Sequence, residues 1–168
     1  MTAIIYTSNT GYTKQYAEML SEKTGVPCYD AEEAKMWVIG GADIIYLGWL
    51  MAGTISGYKS AAKRYNVKAV CAVGMDNGES QKERVKASNK TGETPLFMLK
   101  GGFDMSRLNA VHKLMMKAFI KTYGEKLAKK PNPTKDEKDS LDLMKNGGSR
   151  VSEKNLAPVI KWFEGLKN

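Results

Sequence analysis

The sequence predicts an α/β fold in which a parallel sheet is covered on both faces, and three observations carry that reading. Five short runs of β-branched and aliphatic residues recur along the 168 residues, bounded by glycine, aspartate or polar turns. Two of them, Asp43-Ile44-Ile45-Tyr46-Leu47-Gly48 and Ala69-Val70-Cys71-Ala72-Val73-Gly74, are nearly continuous in apolar character, as strands buried on both faces require. Between the runs lie segments suited to helices, and strands alternating with helices join into a parallel sheet through right-handed crossovers. With 42% hydrophobic and 26% charged residues, the chain has the material for one well-buried domain, read as a single unit over 1–168.

The first strand centres on Ile4 and Ile5 and breaks at Ser8-Asn9-Thr10-Gly11-Tyr12-Thr13, after which Ala17, Leu20 and Lys23 continue a helical period. Gly25 ends that helix, and Val26 to Tyr29 is a short second strand. Asp30 caps a weak helix or turn over 31–42 that closes at Gly40-Gly41. The third strand, 43–48, runs into the apolar loop Trp49-Leu50-Met51-Ala52-Gly53-Thr54-Ile55-Ser56-Gly57, followed by a basic helix around Tyr58 to Tyr65. The fourth strand is 69–74, and the polar stretch 75–94 is read as a loop with one helix. Leu96 to Lys100 is the fifth strand, ending at Gly101-Gly102-Phe103.

Beyond it, Val111, Leu114, Met115, Ala118, Phe119 and Thr122 recur at three- and four-residue spacing within a helix over 108–127. The expectation is that this stripe packs on the core and that the opposite, lysine-bearing face is solvated. Lys129-Lys130-Pro131-Asn132-Pro133-Thr134 breaks the helix, and Asp136 to Met144 forms a shorter one before Gly147-Gly148. A final helix from about Ser152 to Leu166 presents Ile160, Phe163 and Leu166.

The loop Ser8 to Thr13 is the most informative stretch. It offers hydroxyl and amide donors, Gly11 allows close backbone approach, and the helix that follows points free N–H groups and its positive dipole end at whatever binds. Those properties suit a phosphate. Ser8-Asn9-Thr10-Gly11-Tyr12-Thr13 resembles the FMN-phosphate loop of flavodoxins, a hydroxyl residue, one residue, then Thr-Gly-x-Thr, and it stands in the same context, between the first strand and the first helix. The resemblance implies a flavodoxin-like three-layer sandwich, a five-stranded parallel sheet of order 2-1-3-4-5 with helices on both faces. It also implies FMN at the carboxyl ends of the first, third and fourth strands.

On that basis the candidate cofactor-binding residues are Ser8, Asn9, Thr10, Gly11, Tyr12 and Thr13; Trp49, Leu50, Met51, Ala52 and Gly53; and Gly74, Met75, Asp76 and Gly78. Trp49 is the flat apolar wall that an isoalloxazine ring needs. Many flavodoxins place a tyrosine in the loop after the fourth strand, but 74–94 contains no aromatic residue, so Met75 or Met51 takes that place. Gly53, Gly74 and Gly78 mark approaches of backbone to the ring, and Asp76 and Asn77 are ribityl or ring-edge partners.

The net charge of +8 and pI of ≈ 9.4 depart from the acidic balance usual in flavodoxins. The excess is local: from Lys100 to Lys135 nine positive side chains face only Asp104 and Glu125, a balance of +7. The stretch from Phe97 to about Leu143 also resembles the flavodoxin-like family that includes menaquinone-dependent protoporphyrinogen oxidase, through Gly101-Gly102-Phe103-Asp104, the helix Leu114 to Lys121, and Lys130 to Thr134. Two functions follow. One is an FMN electron carrier between redox partner proteins, a reductase and an acceptor. The other is an FMN oxidoreductase, protoporphyrinogen oxidase-like or quinone-linked, using an anionic or membrane-borne substrate, with peripheral membrane contact through 107–130.

Other chemistries find little support. His112, the single histidine, reads as a solvated helix residue, no catalytic constellation is visible, and no metal-binding spacing occurs. Cys28 and Cys71 read as buried thiols of a reducing compartment. No basic motif is interleaved with aromatics, which disfavours nucleic acid. No run is long enough to span a bilayer and no signal peptide is seen, so the expected location is the cytoplasm, with the inner face of the membrane as a peripheral site.

Overall fold

Aliphatic strand residues alternate between two helical layers, and that alternation organises the chain. The computed structural model describes residues 1–75 and 79–166. In chain order it contains β1 (Ala3–Thr7), α1 (Tyr12–Thr24), β2 (Cys28–Asp30), α2 (Ala34–Trp37), β3 (Asp43–Met51), β4 (Thr54–Ile55), α3 (Tyr58–Arg64) and β5 (Asn66–Gly74). These are followed by α4 (Glu79–Asn89), β6 (Leu96–Lys100), β7 (Gly102–Phe103), α5 (Ala110–Ala128), α6 (Lys135–Asn146), β8 (Gly148–Ser149) and α7 (Ala157–Gly165).

The main sheet has the order β2-β1-β3-β5-β6, all parallel, with β4 added antiparallel to β3. Counting only the five parallel strands, this is the expected order 2-1-3-4-5. One face carries Ile4, Tyr6, Ile45, Leu47, Cys71, Val73 and Leu99, covered by Tyr16, Ala17 and Leu20 of α1 and by Val159 and Phe163 of α7. The other carries Ala3, Ile5, Ile44, Tyr46, Val70 and Ala72, covered by α2, α3 and α4 through Ala34, Tyr58, Ala61 and Val85. The result is a three-layer α/β sandwich, and the near-continuous apolar runs of β3 and β5 are explained by burial on both sides.

Several boundaries differ from expectation. The third strand does not stop at Gly48 but continues through Met51, because Trp49 to Ile55 closes as a tight hairpin rather than an open loop. Gly48 makes this closure sterically allowed: a Cβ there would lie 2.6 Å from Ile55 Cγ2 and from the Ser56 carbonyl. The second strand is Cys28–Asp30 rather than 26–29, the fourth parallel strand begins earlier, at Asn66, and a 3-10 turn, Glu153–Leu156, precedes the last helix. Cys28 is half-buried rather than buried. Cys71 is fully buried, and burial pushes its thiol pKa well above the ordinary value.

The largest departure is α5. Its buried residue is Leu127, and its main packing partner is α6. The stripe expected to face the core is instead exposed, Val111 at 67%, Leu114 at 72%, Met115 at 59% and Phe119 at 47%. Met116, Ile120 and Tyr123, on the far side of the helix, are the half-buried ones. The chain beyond β6 also forms a small antiparallel ladder, β7 with β8, that brackets the α5–α6 pair. No helix among the described residues is long and apolar enough to cross a membrane.

Candidate functional site

The parallel strands end side by side at one edge of the sheet, and the segments leaving them converge there. Thr7 of β1 is in register with Gly48 of β3, and Trp49 of β3 with Val73 of β5. At this edge lies a cavity of ≈ 330 Å³. Of the sequence-predicted residues, Asn9, Thr10, Tyr12, Thr13, Trp49, Leu50, Met51, Ala52, Gly74 and Met75 line it. Ser8, Gly11 and Gly53 are not among the lining residues, and Asp76, Asn77 and Gly78 lie outside the described residues.

The hydroxyl-rich loop is built to leave donors free. Gly11 is the N-cap of α1 in a left-handed conformation, φ +93°, with no side-chain cap, so the first N–H groups of the helix lack capping acceptors. Ser8 Oγ accepts from the Gly11 N–H at 3.1 Å and so holds the loop closed from within. Thr13 is only 2% exposed yet lines the cavity, and no described residue hydrogen-bonds its hydroxyl. Tyr12 lies against Gly102, where a Cβ would fall 2.5 Å from its ring.

The opposite wall is the β3–β4 hairpin. Its two turn residues, Ala52 (φ +49°) and Gly53 (φ +84°), are both left-handed, the geometry of a tight two-residue turn. For Ala52 that conformation costs about 1 kcal/mol and must be held by its surroundings. Asn89 of α4, 3% exposed, does the holding. Its amide donates to the Gly53 carbonyl at 2.8 Å and to the Val85 carbonyl at 2.7 Å, and its oxygen accepts from the Ile55 N–H at 2.8 Å. From below, the Tyr46 hydroxyl donates to the Ser56 carbonyl and bonds Thr7 Oγ1, each at 2.7 Å, and burial pushes its pKa up to about 12.

The remaining wall was missed by sequence reasoning. Gly101, Gly102 and Phe103 follow β6 into the lining, and Leu108, His112, Met115, Met116 and Phe119 close it from α5 and the segment before it. Residues of α5 therefore line the cavity beside Met75 and Met51. His112, expected to be solvated, faces the cavity. The helical period of 111–122 was visible, but nothing local showed that this helix is set across a sheet edge rather than on the core. Sequence reasoning also missed Arg107, which is not among the cavity-lining residues but meets the loop from outside: its Nη1 donates to the Thr10 carbonyl at 2.6 Å.

A doubly wound parallel sheet whose carboxyl edge carries a hydroxyl-rich strand-to-helix loop above an apolar cavity defines a mononucleotide-binding α/β protein. A family model described as a flavodoxin domain matches residues 3–130, and the chain belongs to the flavodoxin family. Flavodoxin domains bind FMN. The cavity fits that cofactor: the free hydroxyl of buried Thr13 and the uncapped start of α1 suit a phosphate, while Trp49, Leu50, Met51, Met116 and Phe119 supply apolar surface for a ring. No curated protein matched the chain in a search.

Proposed function

We propose that this protein is an FMN-dependent electron carrier that takes electrons from a reductase and delivers them to an acceptor protein. The observation that carries the proposal is the convergence of the Ser8–Thr13 loop, the Trp49–Ala52 segment and the Gly74–Met75 strand end on one cavity. When bound, FMN supplies the storage and release of electrons. The protein's part is to bind and orient. Thr10, Thr13 and the backbone N–H groups of the loop take the phosphate; Trp49 and the hairpin give one side of the ring an apolar wall; Gly74 and Met75 bring backbone to its edge. Nothing in this role asks the protein for an acid or a base.

Stepwise anaerobic reduction of FMN-loaded protein, followed in the visible spectrum, tests the proposal. Transient long-wavelength absorbance of flavin reduced by one electron is the expected result. Direct passage to the two-electron form would speak against a carrier, and loss of FMN on desalting would remove the cofactor assignment.

A second reading is favoured by one observation, that the exposed stripe of α5 runs into the cavity through Met115 and Phe119. In that reading the protein is an FMN oxidoreductase, protoporphyrinogen oxidase-like or quinone-linked, whose substrate arrives from an anionic membrane. Lys113, Lys117 and Lys121 flank the apolar residues on the same helix, the pairing that draws an amphipathic helix to such a surface. Sedimentation with anionic vesicles at low salt is expected under this reading, and protein left in the supernatant excludes it.

A further inference from the structure

The Ser8–Thr13 loop contains no charged residue, and the nearest lysine in sequence, Lys14, is half-exposed and turned toward Glu18 at 3.7 Å. A phosphate held only by neutral donors and a helix terminus lacks a full compensating charge. One guanidinium nevertheless sits against this loop. Arg107 Nη1 donates to the Thr10 carbonyl, and a Cβ on Gly11 would lie 3.3 Å from the same nitrogen, so the guanidinium lies along the left-handed backbone at the N-cap of α1. Any side chain at Gly11 would crowd it.

The arginine is held there by a built support rather than swinging free. Its Nε meets Asp104 Oδ2 at 3.1 Å. Asp104 in turn accepts from the Ser106 N–H at 2.9 Å and the Ser106 hydroxyl at 2.6 Å. The Ser106 bonds first, and Arg107 after them, hold the Asp104 carboxyl below its usual range, so the anchor stays ionised. Among the described residues no acceptor takes the donors of Nη2. An arginine presents a planar fork whose unused donors suit a phosphate, and charge-assisted bonds of this kind are the stronger class.

We propose that Arg107, carried in from the segment before α5, is the cation of the phosphate subsite and sets the preference of this protein for FMN over the unphosphorylated flavin. The inference rests on the reading of the cavity as the FMN site. It adds to the neutral hydroxyl-x-Thr-Gly-x-Thr loop a charge that the loop pattern lacks. It also gives the 104–109 segment a task, joining the phosphate loop to the helix that closes the cavity.

The test compares FMN and riboflavin binding to apoprotein by flavin-fluorescence quenching, for the wild type, Arg107→Ala and Arg107→Lys, at low and high salt. Arg107→Ala is expected to weaken FMN about tenfold, the loss of one charge-assisted contact, and to change riboflavin less than about twofold. The salt dependence of FMN binding should flatten in Arg107→Ala, and Arg107→Lys should recover part of both the affinity and the slope. Equal weakening of FMN and riboflavin would make Arg107 a latch between loop and α5, overturning the phosphate role, and unchanged FMN binding would overturn it too. Wild-type protein that binds riboflavin as tightly as FMN would end the assignment. Wild-type protein that binds neither would instead bring down the cofactor reading on which it rests. Arg107 is more than half exposed, so its replacement leaves the core intact.

Discussion

Strand β3 and helix α5 carry apolar residues at equally regular spacing, yet β3 buries every residue from Ile44 to Gly48 while α5 buries Leu127. The difference lies in what surrounds them. A central strand of a doubly wound sheet has a neighbour on each edge and a helical layer on each face, so every side chain finds cover. Helix α5 lies beyond the sheet, packed mainly on α6 and along the cavity rim, and its stripe stays exposed, with only Met115 and Phe119 reaching the cavity lining. Periodicity tells which residues share a face; it does not tell whether that face is turned inward.

The strongest way to break the comparison is to truncate one residue of each kind. Ile45→Ala should lower unfolding free energy in urea by about 3 kcal/mol, because it opens a cavity in a fully enclosed layer. Leu114→Ala should stay within about 0.5 kcal/mol of the wild type. A cost at Leu114 approaching that at Ile45 would show the stripe to be covered in solution. The outer face of α5 would then be an interior of some assembly rather than a surface.

Asn89 sharpens the comparison from the side of the body, because it fixes the hairpin wall as rigidly as the core fixes a strand. Asn89→Ala strips a carbonyl and an N–H of the hairpin of their buried partners. A loss of about 2–3 kcal/mol in unfolding free energy is expected, with weaker FMN binding because the wall carrying Trp49 and Ala52 loosens. Full FMN affinity in this variant would show that the hairpin keeps its shape without the amide.

Tyr46 gives the body a pH limit at the alkaline end. Burial raises its folded pKa to about 12 from an ordinary 10.0. Below the ordinary value the phenol is neutral in both states and its contribution is complete. As the pH climbs from there through the folded value, the unfolded chain gives up the proton first and stability falls. Tyr46→Phe should lose about 1–2 kcal/mol at neutral pH, since the Thr7 hydroxyl and Ser56 carbonyl lose a partner. Its alkaline decline should be shallower; an unchanged slope would assign the decline to another group.

The sequence was most legible where one local cause decides the structure. Leu96 to Lys100 becomes a strand with the boundaries its pattern predicts, and the hydroxyl-rich stretch does join strand to helix, although the loop is Ser8 to Gly11 and Tyr12 and Thr13 already open α1. It was less legible where long-range geometry decides. Whether Trp49 opens a loop or continues β3 depends on Ile55 returning over Gly48 and on an asparagine 34 residues beyond Ile55. Arg107 and Thr10 are 97 residues apart, and neither position alone points to the other. The far wall was legible only in part for a third reason: Met75 and Met51, expected in the place of a tyrosine, do line the cavity, but side chains of a different element, α5, line it beside them.

The smallest expected effect concerns α6, which holds α5 in place from outside the body. Its start is a capping box: Thr134 Oγ1 accepts from the Glu137 N–H at 3.2 Å, and Glu137 Oε2 accepts from the Thr134 N–H at 2.8 Å. Lys130 Nζ reaches both Glu137 oxygens, at 2.7 and 2.8 Å, tying the end of α5 to the start of α6. This lysine contact, with the Thr134 N–H after it, holds the Glu137 carboxyl below its ordinary 4.5. A depressed carboxyl contributes stability above the ordinary value and loses it as the pH falls through the folded value, so the pH limit of the α5–α6 pair is acidic where that of the body is alkaline. Thr134→Ala should cost about 0.5 kcal/mol, read as faster amide exchange in α6 and the end of α5 with exchange in β3 and β5 unchanged. Acidification should produce the same local pattern in the wild type before the sheet responds. If exchange in the sheet rose together with that in α6, the two regions would unfold as one cooperative unit, and the contrast between β3 and α5 would be one of exposure without independence.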